Sequence, residues 1–222
     1  MMPILFGRTT QNLPIWGNSF LHQGPSILIL GGVHGDETEG VIACLELQKL
    51  LFEKKDPFKL NITIVPAFNQ DGVLAGTRHN ANGVDLNRNL PTKDWEGTAH
   101  QKKYQPGPSP NSESENQALV QWIETHHPHF IFSLHSWKPT LNLNGECDEV
   151  AKILMKKTGY ESNRDMGYPT PGCLGTYTGH ERNIPTITYE IERGSSTQDI
   201  VNLHPPALME ALSFLEKNQN ES

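Results

Sequence analysis

Cysteine is scarce in this sequence, and long apolar runs are missing from it. The three cysteines, Cys44, Cys147 and Cys173, are too few and too scattered for a disulfide framework, and an odd number fits a reducing compartment. No segment approaches the roughly 20 consecutive apolar residues of a membrane span. Residues 1–17 contain one short apolar run and no cationic stretch before a long one, so they do not resemble a signal peptide. We therefore expect a cytoplasmic protein that does not bind membranes.

Positive charge is also in short supply. Lysine and arginine total 18 against 25 aspartates and glutamates, which gives a formal net charge of −7. This balance disfavours a surface for the phosphates of nucleic acid, so we expect no nucleic-acid partner. The 222 residues are enough to bury a sizeable core, and they contain neither an internal repeat nor a linker. We therefore predict a single catalytic or binding domain over residues 1–222.

Apolar patterns of the strand type and of the helix type alternate along the chain. The predicted strands are 27–30, 62–65, 130–134 and 186–192. The predicted helices run from 37 to about 52, from a capping box at 112–115, around 150–154, and from Pro205-Pro206 toward the C-terminus. Residues 68–110, which are rich in Asn, Gly and Pro, are expected to be a long functional or disordered loop. This alternation predicts an α/β fold with a mostly parallel sheet covered by helices on both faces.

A histidine and a glutamate three positions apart follow the first predicted strand. His34 and Glu37 lie in the segment GGVHGDETEG, where a glycine-rich turn leads into a helix. At a helix start this spacing can aim both side chains at one point, and imidazole plus carboxylate is a common zinc pair. Because the carboxyl ends of parallel strands share one edge of a sheet, His135 after the strand 130–134 is the third candidate. Three protein ligands leave one zinc position open for water, although spacing alone leaves a structural role for these residues open.

A hydrolytic zinc site also needs a base and a cation that stabilises the oxyanion. In the last predicted strand, Glu190 and Glu192 fall on one face, where acidic groups are costly unless they are paired or functional. An exposed edge strand with two solvated glutamates is the alternative. The Asn-rich loop supplies Arg78 and Arg88, with Asn87 beside the second arginine. Solvated arginines among turn-forming residues are the alternative there.

Taken in order, these motifs resemble the zinc carboxypeptidase family. They are HxxE at 34–37, Asn-x-Asp-Gly at 69–72, Asn-Arg at 87–88, His-Ser-aromatic at 135–137 and Thr-aromatic-Glu-aliphatic at 188–191. The resemblance covers the chain from about residue 27 to about residue 193. It implies a zinc-dependent metallopeptidase with that family's α/β fold, a mixed, mostly parallel central sheet with helices on both faces.

The resemblance also implies a role for each matched residue at the reacting centre. One zinc ion would be bound by His34, Glu37 and His135. The family pattern selects Glu190 from the two glutamates as general base and then general acid. Arg78 would polarise the scissile carbonyl and stabilise the oxyanion.

The remaining matched residues would bind the substrate. Asn87 and Arg88 would hold the free carboxylate of the leaving residue. A mobile tyrosine over the site would be Tyr168 or, as the weaker alternative, Tyr177. The resemblance therefore implies a small peptide substrate that carries a free carboxylate.

Within the family, residues 76–89 and 169–175 are most similar to a group of short cytoplasmic enzymes. These enzymes cleave the γ-D-glutamyl–diaminopimelate bond of recycled cell-wall peptides. Asp36 lies between two candidate ligands and could bind the second ammonium group of diaminopimelate or cap the helix beside it. Asp85 is expected to orient the Asn-rich loop through hydrogen bonds.

Three other functions remain open from the sequence. An amidohydrolase like succinylglutamate desuccinylase or aspartoacylase shares the GG-x-HG-x-E start, although the full NGVDLNRN motif favours a peptidase. Carboxypeptidase action on other peptides, such as longer peptides or glutamylated proteins, is also compatible with the sequence. A non-enzymatic binding protein with a decayed site predicts the loss of a ligand or of the base, and none of them is missing.

Overall fold

A computed structural model describes residues 1–55 and 57–218. The strands are β1 (Met2–Arg8), β2 (Pro14–Phe20), β3 (Ser26–Gly31), β4 (Asn61–Val65), β5 (Phe130–Trp137), β6 (Thr140–Asn144), β7 (Glu161–Asn163) and β8 (Thr186–Glu192). The α-helices are α1 (Thr38–Glu53), α2 (Gln70–Ala75), α3 (Ser114–His126), α4 (Asp148–Thr158) and α5 (Thr197–Lys217). Single helical turns occur at Leu86–Arg88, Lys102–Tyr104 and Thr176–His180.

The strands form one sheet in the order β1-β2-β4-β3-β5-β8-β6-β7. Its centre is parallel, because β3 pairs in parallel with β4 and β5, and β5 does so with β8. Antiparallel pairings occur at β1·β2, β2·β4 and β6·β8, while β7 pairs in parallel with β6. Four of these seven pairings are parallel, which confirms the mixed, mostly parallel α/β sheet.

The two faces of the sheet bury separate apolar clusters. Ile27 and Ile29 of β3 point into a cluster that includes buried residues of α1, α4 and α5. The alternating residues Leu28 and Leu30 point into the other cluster, which α3 and the loop segments cover. Side chains of a strand alternate between the two faces of a sheet, and both faces are buried here. The sequence of β3 is therefore a continuous apolar run. Helices on both faces are therefore confirmed.

The C-terminal helix differs from the sequence prediction. It begins at Thr197, eight positions before Pro205, and both Pro205 and Pro206 lie inside it. Ser196 is its N-cap, and the Ser196 side chain accepts a hydrogen bond from the backbone of Asp199 at 3.1 Å. Proline inside a helix costs about 3 kcal/mol. Buried residues on both sides of the proline pair offset that cost by packing on the sheet.

Two smaller differences concern local structure. The capping box at 112–115 is wrong, because α3 begins at Ser114 and its N-cap Glu113 makes no side-chain cap hydrogen bond. The Ser112 hydroxyl instead donates to the Glu113 carboxylate at 2.6 Å. The loop 68–110 contains α2, whose N-cap Asn69 accepts from Gly72 at 3.0 Å. Finally, no helix among the described residues has both the length and the apolar character needed to cross a bilayer.

Candidate metal centre and active site

The turn after β3 brings the backbone unusually close to the next loop. Gly32 has a φ of +61°, a conformation that favours glycine. A Cβ at Gly35 would collide with the backbone of Gly72, so this turn and the start of α2 can pack together only through glycines. The turn ends where the backbone N–H of Glu37, the N-cap of α1, donates to the carbonyl of His34 at 3.2 Å. Both side chains are thereby fixed at the end of the central parallel strands.

His34, Glu37 and His135 converge at this edge of the sheet, and all three are buried. One potential ligand atom from each lies within 4.8 Å of the others. Nδ1 of His34 is 2.9 Å from Glu37 Oε1 and 3.1 Å from His135 Nδ1. Nδ1 of His135 is 2.9 Å from Glu37 Oε2. The geometry therefore agrees with the prediction from the sequence that these three side chains lie together.

Neighbouring strands explain how His135 reaches the other two residues. β5 lies between β3 and β8, and its register pairs His135 with Glu190 of β8. Residues paired in register on neighbouring strands project from the same face of a sheet. The predicted end of this strand at Leu134 is wrong, because β5 continues to Trp137 and pairs with β8 throughout. His135 is therefore held inside the sheet rather than in a loop.

The far side of each imidazole is held by a polar partner. Nε2 of His34 is 3.0 Å from the buried carboxylate of Asp85, and Nε2 of His135 is 3.1 Å from the hydroxyl of Ser133. Such partners orient the imidazoles of metal sites and fix their tautomer. Asp85 also accepts from the backbone of Asn87 at 2.9 Å, so it orients the loop as expected. The contact between Asp85 and His34 was missed in the sequence, although a metal-binding histidine needs such an acceptor.

The electrostatics of the cluster suit a bound cation. Burial opposes the charged form of His34, but Glu37 and Asp85 outweigh it and raise the pKa of His34 to about 9. Burial likewise opposes ionisation of Glu37, but the histidines around it hold its pKa well below the usual value. A carboxylate that stays ionised between two imidazole Nδ1 atoms is a donor set that zinc prefers. The residues present therefore fit the zinc that the sequence resemblance implies.

Glu190 lies beside this cluster with spare hydrogen-bonding capacity. Its side chain lines the same cavity and the residue is 7% exposed. Its Oε2 has no hydrogen-bond partner among the described residues. Burial raises the pKa of Glu190, and the charge of Glu37 adds to the effect. Glu192, the other glutamate of β8, is exposed, so the structure separates the two as the sequence motif did.

Two arginines enter the cavity from the Asn-rich loop. Arg78 donates to Glu37 at 3.3 Å and, through two nitrogens, to Asp85 at 2.8 and 3.0 Å. Arg88 is buried, and its Nε has no partner among the residues that the structure describes. Asn87 accepts from the backbone of Leu174 at 2.9 Å, which orients its amide. Both arginines are therefore site residues rather than solvated loop residues.

Aromatic rings form one wall of the cavity, which has a volume of about 220 Å³. The ring of Tyr168 stacks on Tyr104 with centroids 5.8 Å apart, and it meets Trp137 edge-on at 5.9 Å. Tyr104 belongs to none of the family motifs in the sequence, because nothing local marks its role within the long loop. Tyr177, the weaker candidate for the mobile tyrosine, is fully buried in the second apolar cluster beneath Arg182.

Asp36 pairs with an arginine that the sequence did not predict as its partner. Its carboxylate accepts from Arg193 at 2.7 Å, and its backbone carbonyl accepts from the same nitrogen at 2.8 Å. The N-cap of α1 is Glu37, without a side-chain cap hydrogen bond, so the helix-cap alternative for Asp36 is wrong. Arg193 was not predicted as a site residue, since its place depends on the end of β8 meeting the turn before α1.

Comparison with known proteins agrees with this geometry. The model of the family described as zinc carboxypeptidase matches residues 2–209. Murein peptide amidase A from Vibrio campbellii is 35% identical over 177 residues, covering 74% of this chain and 68% of the relative. The protein of that name from Escherichia coli K12 is 31% identical over 205 residues, covering 87% and 82% respectively.

A solved structure extends the likeness to the fold. The crystal structure of murein-tripeptide amidase from Escherichia coli O157 superposes with a TM-score of 0.80 and 27% sequence identity. The match covers 96% of this chain and 92% of that one. The sheet and its helices thus occur together in the fold of a solved amidase.

Proposed function

The chain belongs to the zinc carboxypeptidase family and is a hydrolase, and we propose that it uses one zinc ion to cleave the γ-D-glutamyl–diaminopimelate bond of small murein peptides. The observation that carries this proposal is the convergence of His34, Glu37 and His135 within 4.8 Å, beside Glu190. These three side chains would hold the metal. When bound at such a site, zinc polarises a carbonyl and lowers the pKa of a coordinated water to about 7.

Glu190 would move the proton during hydrolysis. Its register position opposite His135 places it next to the ligand cluster, and its Oε2 is free to accept a proton. Its raised pKa favours both halves of the task, because the group must first take a proton from water and then give it to the leaving amine. Glu190 is therefore the general base and then the general acid in this proposal.

Arg78 would stabilise the negative charge that develops on the scissile carbonyl oxygen. Two hydrogen bonds to the buried Asp85 fix its guanidinium, and one Nη reaches Glu37 at 3.3 Å. A cation that is already oriented before the reaction needs no reorganisation as the oxyanion forms. Asp85 thus orients both Arg78 and His34, which couples the two halves of the reacting centre.

Asn87 and Arg88 would bind the free carboxylate of the leaving residue. The unpartnered Nε of Arg88 supports this role, because a buried guanidinium nitrogen without an acceptor is costly. The guanidinium of Arg88 lies over the ring of Tyr104 at 4.7 Å, and the ring of Tyr168 stacks on Tyr104 at 5.8 Å. This arrangement gives the leaving residue a charged anchor under an aromatic cover.

The substrate class is supported by relatives and by charge. The two amidases are 31–35% identical to this chain over most of its length. The cavity is lined by four positively charged side chains, Arg78, Arg88, Lys103 and Arg193, and by three carboxylates, Asp36, Glu37 and Glu190, of which Glu37 is a candidate metal ligand and Glu190 the candidate base. A peptide of L-alanine, γ-linked D-glutamate and diaminopimelate carries three carboxylates, which suits such a cavity.

The proposal also covers the cellular compartment and the domain organisation of the enzyme. Cys44, Cys147 and Cys173 are free and buried, which supports a reducing, cytoplasmic site of action. One continuous sheet, which contains all eight strands of the described residues, supports a single catalytic domain over residues 1–222.

The test is a direct comparison of substrates. Zinc-loaded protein is incubated separately with L-Ala-γ-D-Glu-diaminopimelate, succinylglutamate, acetylaspartate and a plain C-terminal dipeptide, and products are identified by mass spectrometry. We expect free diaminopimelate from the first substrate at a rate well above the others. Preferential release of succinate or acetate would replace the proposal with a desuccinylase or aspartoacylase activity. Preferential cleavage of the plain dipeptide would replace it with a general carboxypeptidase.

A further inference from the structure

The backbone at Arg193, which lies at the rim of the cavity, is held by hydrogen bonds to neighbouring elements. It directly follows β8, and its backbone N–H donates to the carbonyl of Trp137 at 3.0 Å. The next backbone N–H, that of Gly194, donates to the carboxylate of Glu39 at 2.7 Å. Both ends of this short segment are therefore tied to neighbouring elements, which fixes the origin of the Arg193 side chain.

Only one corner of the Arg193 guanidinium is occupied by the protein. Its Nη2 donates both hydrogen bonds to Asp36, one to the carboxylate and one to the backbone carbonyl. Its Nη1 is 4.0 Å from Glu37 Oε1, beyond hydrogen-bond distance. Neither Nη1 nor Nε makes a hydrogen bond to the described residues, and the side chain is 44% exposed. Arginine held at one corner keeps free donors for a planar acceptor such as a carboxylate.

Arg193 adjoins the metal-ligand cluster at Glu37, whereas Arg88 adjoins the ring of Tyr104. Glu37 Oε1 is 3.3 Å from Arg78 Nη1 and 4.0 Å from Arg193 Nη1. Beyond Arg78, the ring of Tyr104 underlies both Arg78 and Arg88, at 5.4 and 4.7 Å. If Arg88 holds the leaving residue, Arg193 is a cation beside the metal ligands that is available to the residue on the acyl side of the scissile bond.

We propose that Arg193 recognises a free carboxylate on the acyl residue of the substrate, and that Asp36 positions it for this task. The inference rests on the proposed function. A D-glutamate linked through its γ-carboxyl keeps its α-carboxylate free. That group is four covalent bonds from the scissile carbonyl carbon, or roughly 5 Å when extended. Arg193, next to the metal-ligand cluster, stands within that reach.

A purely structural role for the Asp36–Arg193 pair explains the geometry less well. Ion pairs this exposed contribute little to stability. The Asp36 side chain is 31% exposed and that of Arg193 is 44% exposed. Asp36 thus holds one nitrogen of Arg193 and leaves the other donors of the guanidinium free, as expected of a binding residue and its support.

The first experiment measures binding of the acyl product alone. Titration calorimetry compares L-Ala-γ-D-Glu with its α-amide, which retains the γ-carboxylate and loses only the α-charge. We expect the zinc-loaded wild-type enzyme to bind the α-carboxylate form about 10- to 100-fold more tightly. The ratio should fall to about one in Arg193→Gln, and to an intermediate value in Asp36→Asn. Compared with Arg193→Gln, Arg193→Lys should restore part of the ratio, because lysine restores the positive charge but not the paired donors of the guanidinium.

The second experiment measures turnover of the tripeptide and of its α-amide at D-glutamate. Arg193→Gln should lower kcat/KM about 10- to 100-fold on the tripeptide and less than about 3-fold on the amide. Arg164→Gln and Asp148→Asn serve as matched controls, because Arg164 and Asp148 form an exposed ion pair of similar geometry elsewhere. Both controls should leave the two rates unchanged, and zinc content should stay constant in every variant.

The outcomes separate this inference from the function on which it rests. If the wild type cleaves the tripeptide but Arg193→Gln slows both peptides equally, Arg193 acts on the metal centre or the fold and the inference is overturned. It is overturned as well if the wild type prefers neither form of the product or of the peptide. If the wild type releases diaminopimelate from neither peptide, the proposed function itself is wrong and the inference falls with it.

Discussion

The two faces of β8 share one backbone and bury very different groups. Ile187, Tyr189 and Ile191 point into the apolar cluster under α1 and α5. Thr188 and Glu190 point into the cavity with the candidate metal ligands. One face therefore contributes packing, while the other carries a carboxylate with an unpartnered oxygen. One face of β8 therefore stabilises the fold, and the opposite face carries groups of the candidate site.

Two buried histidines make the same contrast in electrostatic terms. His204 hydrogen-bonds to the Tyr189 hydroxyl at 2.8 Å on the apolar side, and burial lowers its pKa to about 4. His34 is as deeply buried, yet Glu37 and Asp85 raise its pKa to about 9. Burial alone favours a neutral imidazole, and only nearby carboxylates reverse that preference. The carboxylates of Glu37 and Asp85 therefore give the site a negative charge that the apolar surroundings of His204 lack.

The substitution Glu190→Gln should have the largest effect, and it tests the contrast between the two faces of β8. We expect kcat to fall about 100- to 10,000-fold, because the amide cannot accept and return the proton. Zinc content should be retained, since Glu190 is not among the three candidate ligands. The free energy of unfolding should stay equal or rise, because a buried carboxylate with an unpartnered oxygen is removed.

Glu192→Gln is the matched control for that substitution. Glu192 lies on the same strand but is exposed, so its variant should keep near-normal kcat and stability. If Glu190→Gln retained normal turnover, its role as base would be wrong. If it lost both activity and stability, the contrast between the faces of β8 would be wrong.

The second prediction concerns the anchor for the leaving residue. Arg88→Ala should raise KM about 100-fold for peptides with a free C-terminal carboxylate, because a charge-assisted hydrogen bond is lost. The same variant should change KM far less for peptides amidated at that carboxylate. Steady-state kinetics on the paired substrates checks this. An equal rise for both would show that Arg88 supports the cavity wall instead of binding the carboxylate.

The third prediction concerns the support of the metal ligands. Asp85→Asn should weaken zinc binding about 10- to 100-fold, because the buried carboxylate holds His34 and Arg78 in place. Competition with a zinc chelator measures the change. Asp71→Asn is the control, since Asp71 is also buried in the loop region but bonds to Thr9 and Gln11. It should keep wild-type zinc affinity, and equal losses in both variants would remove Asp85 from its supporting role.

The smallest effect is expected on the apolar side, from the titration of His204. In the unfolded chain its pKa is near 6.5, whereas in the folded chain it is about 4. Between these values the unfolded state binds more protons, so the free energy of unfolding falls as pH falls. The loss should be about 1–2 kcal/mol between pH 7 and pH 5.

Denaturation at a series of pH values tests this slope in zinc-free protein. His204→Asn keeps an acceptor for Tyr189 and should lower stability at every pH while removing that part of the slope. An unchanged slope in the variant would mean that His204 does not titrate as proposed.

Much of the site could be predicted because its residues follow strand ends and a fixed alternation. His34 and His135 lie at neighbouring parallel strands, so their meeting follows from the strand pattern and the topology of such sheets. The choice of Glu190 over Glu192 followed from the family motif, and the exposure of Glu192 agrees with it.

The features that could not be placed from the sequence depend on contacts between distant segments. Tyr104 enters the site only because the long loop folds back over Arg88, and no local pattern encodes that path. Arg193 becomes a site residue only where the end of β8 meets Asp36. Pro205 lies inside α5 because packing on the sheet outweighs its local helix-breaking tendency.

The central claim is that one zinc ion binds between His34, Glu37 and His135. Anomalous diffraction at the zinc edge, on crystals of the zinc-loaded protein, tests it most directly. The account predicts one strong peak, about 2.0–2.1 Å from a nitrogen of each histidine and about 2.0–2.2 Å from a carboxylate oxygen of Glu37. A zinc peak elsewhere, or a fully loaded protein with no peak at this site, would contradict it.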